Sequence, residues 1–373
     1  MPYFDSTATT KPSKEVLDIY NKANSEYWYN ISGQYRTSVS GANLMQKATS
    51  QILSALNTNN KKIIFTSGAT EANNTAIYGI CNKYLSDKKH IITTSIEHPS
   101  VLNCFKDLEK QGFEVTYLPV DKSGVINIVD LEQAIKHNTV FVSIMWVNNI
   151  VGTIMPIKEI IEVVKKHPRI KLHVDCVQGL GKIKNDFNFN DIDLITISGH
   201  KIEGLKGSGA LILNNNIMLE PFVKGGHQQN NMRAGTVDLA GILSLTVAVK
   251  EVLKKQPDNY SYVSNLYHYL VKNLSGLNYL ELNRNNEHYS PYILSITFKN
   301  IKAETVMHYL ESFDIYVGIG SACNEKTKTV DPILEYMQNK TLAINTIRVS
   351  ISKHNTKEEV DLLISKIKEI GEK

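Results

Sequence analysis

Four short segments place residues able to do chemistry where apolar runs end, and in open α/β sheets ligands bind outside the carboxyl ends of strands. Ser198-Gly199-His200-Lys201 directly follows the apolar run 194–197. A lysine in such a place is commonly a solvated surface charge. A lysine that forms a Schiff base needs instead a partly buried position, where desolvation or a nearby positive charge lowers its pKa and makes the amine nucleophilic. Ser198 and His200 flank it and could help hold a phosphate. Lys201 lies 26 residues beyond Asp175 (201 less 175), in His173-Val174-Asp175-Cys176-Val177-Gln178. Asp175 either occupies a surface turn or holds a positive charge on a ring nitrogen, and Gln178 could donate to a ring oxygen. These six residues alone specify neither role.

The third segment is Thr66-Ser67-Gly68-Ala69-Thr70-Glu71-Ala72-Asn73. Gly68 and Ala69 let the backbone approach a ligand, Thr70 can cap a helix, and the N–H groups of the helix start face an anion such as phosphate. A plain capped helix is the other reading. The segment does not fit G-x-x-x-x-G-K-[ST], which disfavours a nucleotide P-loop. The fourth segment, Gly318-Ile319-Gly320-Ser321-Ala322-Cys323-Asn324-Glu325, runs through glycines to a cysteine and on into a polar stretch ending at Asp331. A thiol on so polar a loop is expected to be exposed, which makes Cys323 a candidate nucleophile. Cys81, Cys104 and Cys176 read as packing residues. With no C-x-x-C pair, zinc and disulfide readings are poor and no metal is expected.

Positioning these segments requires an alternating framework, and the chain has one. Apolar runs at 63–65, 91–93, 115–118, 140–144, 172–174 and 194–197 are followed in turn by helix-period segments at 71–84, 101–111, 131–137 and 158–166, a turn, and a Gly-rich loop. This predicts an α/β domain around a mostly parallel sheet. Helices are expected at about 239–253 and 262–274, then a strand at 293–298, a helix at 304–312, a strand at 347–351 and a final amphipathic helix at 356–370. The economical division is a large α/β domain over 14–255 and a smaller α+β domain formed by 1–13 with 256–373.

The 373 residues, 42% hydrophobic and 21% charged, suit a soluble globular protein and exclude a disordered or collagenous chain. The net charge of +4 comes from 41 basic and 37 acidic residues, which gives no footprint for direct nucleic-acid binding. The N-terminus lacks a basic segment followed by an apolar one, and no apolar stretch approaches the ~18 residues of a membrane helix. A cytoplasmic protein without membrane contact is expected.

Taken together, these residues resemble the cysteine desulfurases, pyridoxal-phosphate enzymes of the class V aminotransferase group with the aspartate aminotransferase-like fold (fold type I). The resemblance runs from Tyr3-Phe4-Asp5-Ser6-Thr7-Ala8-Thr9-Thr10 almost to the C-terminus. It includes Glu97-His98, Val147-Asn148-Asn149, Arg233-Ala234-Gly235-Thr236, Gly320-Ser321-Ala322-Cys323 and Ile347-Arg348-Val349-Ser350 besides the segments above. It implies that Lys201 links covalently to pyridoxal 5'-phosphate and later moves protons at the substrate α-carbon. Asp175 would pair with the ring nitrogen, Gln178 would contact the ring hydroxyl, and His98 would stack on the ring and serve in acid–base steps. Ala69, Thr70, Ser198 and His200 would hold the phosphate. Thr236 would complete that cup from a second subunit, which implies a homodimer. Arg348 would grip the substrate carboxylate, with Asn149 assisting near carboxylate and ring.

The implied reaction takes sulfur from L-cysteine, leaving L-alanine and a persulfide on Cys323 for transfer to an acceptor protein. The spacing from Cys323 to Ile333-Leu334 is similar to that of family members with an extended loop. Iron–sulfur clusters, thiolated tRNA, a thio-cofactor, modified DNA and a natural product all stay open as destinations. Three places depart from the family pattern: Ile150 where an acid commonly follows the asparagines, Glu203 and Leu205 where Tyr and Pro are common, and 30–35 without the usual Pro and His. A C-terminal extension used by some relatives to dock a scaffold is expected to be lacking. The alternatives are a selenocysteine lyase or another class V pyridoxal-phosphate aminotransferase or lyase, or a cofactor-binding protein that has lost turnover.

Overall fold

The computed structural model describes residues 1–84, 87, 89–284, 288–320, 332–337 and 343–372. Cys323 lies outside the described residues. A seven-stranded sheet is built from β2 (Lys61–Thr66), β3 (His90–Thr94), β4 (Glu114–Leu118), β5 (Thr139–Met145), β6 (Lys171–Asp175), β7 (Leu194–Ser198) and β8 (Gly209–Asn214), in the order β2-β8-β7-β6-β5-β3-β4. All pairings are parallel except those of β8, which runs antiparallel to both β2 and β7. The runs are apolar on both faces because helices cover both: β3, β5 and β7 are buried at every position. Polar side chains come at the carboxyl ends of two neighbouring strands, where Asp175 and Ser198 are the last residues of β6 and β7.

A second sheet has the order β1-β11-β12-β10-β9, with β1 (Tyr3–Phe4), β9 (Leu280–Leu282), β10 (Ile293–Phe298), β11 (Tyr316–Ile319) and β12 (Thr346–Ser350). The first residues of the chain enter this sheet, where β1 pairs parallel with β11. The last helix, Lys357–Gly371, starts on a capping box in which Thr356 and Glu359 satisfy each other's backbone N–H groups.

The large sheet is mostly parallel, as the alternation of apolar runs and helical segments predicts. Two differences have clear causes. The helix expected over 131–137 is Ile128–Ala134, because Ile135 turns extended (ψ 123°) and ends it. The helices Lys14–Glu26 and Arg36–Ala55 escape a periodicity reading. The buried face of the second is Ser38, Gly41, Ala48 and Ile52, a stripe with one large apolar residue, which a search for apolar runs passes over. Both helices pack on the helix Leu239–Lys254, and in the second Gly41 leaves room for Leu239.

Candidate active site

One cavity of about 550 Å³ opens at the carboxyl ends of the central strands. Lys201, His98, Asp175, Gln178 and Asn149 line it, as do Ala69, Thr70, Ser198, His200 and Arg348. Ten of the residues expected to act together thus share one space. Thr236 is not among them: it is exposed and borders a neighbouring hollow of about 170 Å³ that shares Ser67 and Gly207 with the main cavity.

Lys201 ends the short turn Gly199–Lys201 after β7 and is half-buried. Its Nζ donates to the carbonyls of Thr7 (2.6 Å) and Ala8 (2.7 Å), so the turn after β1 aims the amine. Asp175 is buried; Oδ1 accepts from the Val177 backbone (3.0 Å) and Oδ2 from the Asn73 amide (2.9 Å). The same amide donates to Ser100 Oγ, which is bonded in turn to His98 Nδ1 (2.8 Å). Burial holds the His98 imidazolium below its ordinary range, against the pull of Asp175, so the ring is neutral near pH 7.

The helix Ala69–Cys81 begins on the cavity wall. Its N-cap is Gly68, with no side-chain cap, which corrects the expectation that Thr70 caps it; Thr70 is the second helical residue. Gly68 adopts φ +148°, a conformation L side chains rarely adopt, and a Cβ there would meet nothing within 4 Å, so the space above the helix start is open. Glu71 accepts from the Ser67 backbone (2.8 Å) and pairs with Arg233 (2.8 Å), which braces the turn from behind. Ser198 Oγ is buried without a partner beside this start. His200 is pushed down to about 4, first by burial and then by Lys201, Lys206 and Lys182.

Arg348 is 3% exposed on β12. Its Nη2 pairs with Asp5 at 2.7 Å, and its Nη1 donates to the carbonyls of Asn149 and Gly320, both at 3.1 Å. Gly318 makes room for this pair: a Cβ there would lie 2.7 Å from Nη2 and 2.8 Å from the Asp5 carboxylate. The remaining Nε is buried and unpartnered.

These groups fit pyridoxal phosphate. An amine suits its aldehyde, a buried carboxylate suits a ring N–H⁺, and an orphaned hydroxyl beside a helix start suits its phosphate. Cys81, Cys104 and Cys176 are buried, as packing residues should be. Among the described residues no group of three or more His, Cys, Asp or Glu could hold a metal, and no helix is long and apolar enough to cross a membrane.

The chain matches the aminotransferase class-V family over residues 2–363. It belongs to that family. It is 37% identical to a NifS/IcsS protein homolog of Lactobacillus delbrueckii subsp. bulgaricus, over 99% of this chain and 97% of the relative. It is 36% identical to the cysteine desulfurase IscS of Methanosarcina thermophila, over 100% of this chain and 92% of the relative. A solved NifS-like protein superposes with a TM-score of 0.92 at 32% identity, covering 99% of this chain and 98% of that one. The aspartate aminotransferase-like fold and pyridoxal-phosphate dependence go with the family.

Sequence reasoning missed the supporting residues: Asn73, Asp5 and Lys182, and a role for Glu97. Glu97 is buried; Oε1 accepts from Thr94 Oγ1 (2.7 Å) and the Met145 backbone (2.9 Å), while Oε2 has no partner. Burial pushes its carboxyl up to about 8, partly offset by those two bonds. The folded chain therefore keeps a proton that the unfolded chain releases above the ordinary carboxylate pKa. Its contribution is complete below about pH 4.5 and is lost as pH rises through about 8. Glu97→Gln keeps the accepting oxygen and cannot ionise. Thermal unfolding at about pH 6 and about pH 8.5 is expected to show the variant losing less melting temperature than wild type across that interval.

Proposed function

We propose that the protein is a cysteine desulfurase that holds pyridoxal 5'-phosphate in the 550 Å³ cavity, takes sulfur from L-cysteine and releases L-alanine. The observation that carries this reading is the convergence of Lys201, Asp175 and the orphaned Ser198 hydroxyl on one cavity. The guanidinium of Arg348 at its wall also holds the carbonyl of Gly320, three residues before Cys323.

When bound, the cofactor supplies an electron sink that acidifies the α-proton of an amino acid joined to it. The chain's residues do the rest. Lys201 carries the cofactor and, once displaced, its amine moves the proton at the substrate α-carbon. Asp175, oriented by Asn73 and the Val177 backbone, keeps the ring nitrogen protonated. Ala69, Thr70, Ser198 and His200 hold the phosphate, with His200 as a neutral donor. Gln178 meets the ring oxygen, and neutral His98 covers the ring. Arg348 offers the substrate carboxylate its Nε–H and the one Nη2 N–H that Asp5 and the two carbonyls leave over, and Asn149 stands beside it.

The Cys323 thiolate attacks the substrate sulfur: its C–S bond breaks, an S–S bond forms, and the carbon fragment takes up a proton to become L-alanine. The thiol is left as a persulfide. The exposed Thr236 supports a homodimer in which Thr236 of the partner subunit completes the phosphate cup. We place the enzyme in the cytoplasm, passing its sulfur to an acceptor protein. Incubated with L-cysteine and a reducing thiol, the protein is expected to release sulfide and L-alanine in equal amounts. Keto-acid formation without alanine would overturn the assignment in favour of another class V reaction.

A further inference from the structure

Lys182 has no part in the chemistry above, yet its placement is costly. It is 7% exposed and stands close enough to Lys201 and Arg348 for both charges to oppose its own. Among the described residues no carboxylate pairs with it. Burial first, and then those two charges, push its amine down to about 7, the mark of a costly placement, so its retention calls for a compensating role. Its Nζ donates to Gln178 Oε1 at 2.9 Å. The amide nitrogen of Gln178 in turn donates to the carbonyl of Thr7 at 3.2 Å, and that carbonyl also accepts from Lys201 Nζ.

The two contacts on Gln178 agree about its orientation. Flipping the amide would set its NH₂ against the Lys182 amine and its oxygen against the Thr7 carbonyl, so donor would face donor and acceptor would face acceptor. The unflipped amide has two N–H bonds and spends one on Thr7. The second is left at the wall of the cavity that Gln178 lines. We infer that Lys182 is a positioning residue: it locks Gln178 with its N–H toward the cavity, so that the side chain meets the ring oxygen of pyridoxal phosphate as a donor. The inference rests on the proposed cofactor site and adds to it a residue that touches neither cofactor nor substrate.

The test uses apo-protein reconstituted with pyridoxal 5'-phosphate. Equilibrium dialysis gives the dissociation constant, and the visible absorption maximum of the bound cofactor reports the donor at the ring oxygen. Lys182→Met removes the donor while keeping an unbranched apolar stem one atom shorter. It is expected to weaken cofactor binding about tenfold, the scale of one well-placed hydrogen bond, and to move the absorption maximum. Lys182→Gln, which keeps an N–H donor without the charge, is expected to fall between wild type and Lys182→Met in both readouts. Because Lys182 acts through Gln178, adding Lys182→Met to Gln178→Ala should change neither readout further. An unchanged affinity and spectrum in both Lys182 variants would overturn the inference, and so would additive losses in the double variant. Wild-type protein that fails to bind the cofactor would overturn the reading of the cavity itself, a result distinct from either.

Discussion

Lys201→Ala is expected to lower turnover of L-cysteine at least about 1,000-fold, because one substitution removes both the covalent anchor and the group that moves the α-proton. The protein should still fold. Lys201 is half-buried and bonded to two backbone carbonyls at the rim, outside the apolar core, so its truncation opens no core cavity. Cofactor should still bind, held by Asp175, His98 and the phosphate-binding residues, but borohydride should no longer fix it to the chain. Lys206 also reaches the cavity and is the obvious substitute amine. It is exposed, so nothing strips the water from its ammonium, and it is expected to stay unlabelled. Peptide mapping of borohydride-treated wild type checks this directly. Label on Lys201 is the expected result, and label on Lys206 would move the anchor.

Cys323→Ala is expected to leave cofactor binding at the wild-type level and to reduce sulfide release below about one hundredth, since a nucleophile that takes the leaving group has no substitute in the remaining steps. The other three cysteines offer none. All are buried, and burial pushes the thiols of Cys81, Cys104 and Cys176 up, away from the reactive thiolate. Retained binding alongside lost release separates this enzyme from a class V aminotransferase in which the cysteine is incidental. The comparison of L-cysteine with L-selenocysteine belongs to the same experiment, because a selenocysteine lyase would keep turnover of the selenium substrate in the alanine variant.

The groups expected to touch the cofactor were legible because chemistry at the end of an apolar run stands out against its surroundings. Asp175 and Ser198 close two buried strands, so any polar group there must face the rim. The groups that hold them were not legible, because their partners are remote in the chain. Asn73 meets Asp175 across 102 residues, and Asp5 meets Arg348 across 343. An asparagine or aspartate read alone carries no sign of such a partner. Lys182 reads as a surface charge until packing buries it. The antiparallel β8 was hidden for another reason: strand direction is set by the turn over 199–208, whose conformation depends on contacts such as the Gly199 N–H to the Ser208 carbonyl. Glu203 and Leu205 sit in that turn, and Glu203 has φ +60° with its carboxylate on Lys353 (2.7 Å) and His354 (3.1 Å). The residue standing where the family commonly has Tyr thus ties the lysine turn to the segment after β12.

A desulfurase passes sulfur from substrate to Cys323 while Lys201 carries the cofactor. Mass spectrometry of the holoenzyme after brief incubation with L-cysteine, without added reductant, tests that passage most directly. One additional sulfur is expected on the peptide containing Cys323, absent from Lys201→Ala and removed by a reducing thiol. Alanine formation with that peptide unmodified, or the added sulfur on Cys81, Cys104 or Cys176 instead, would contradict it.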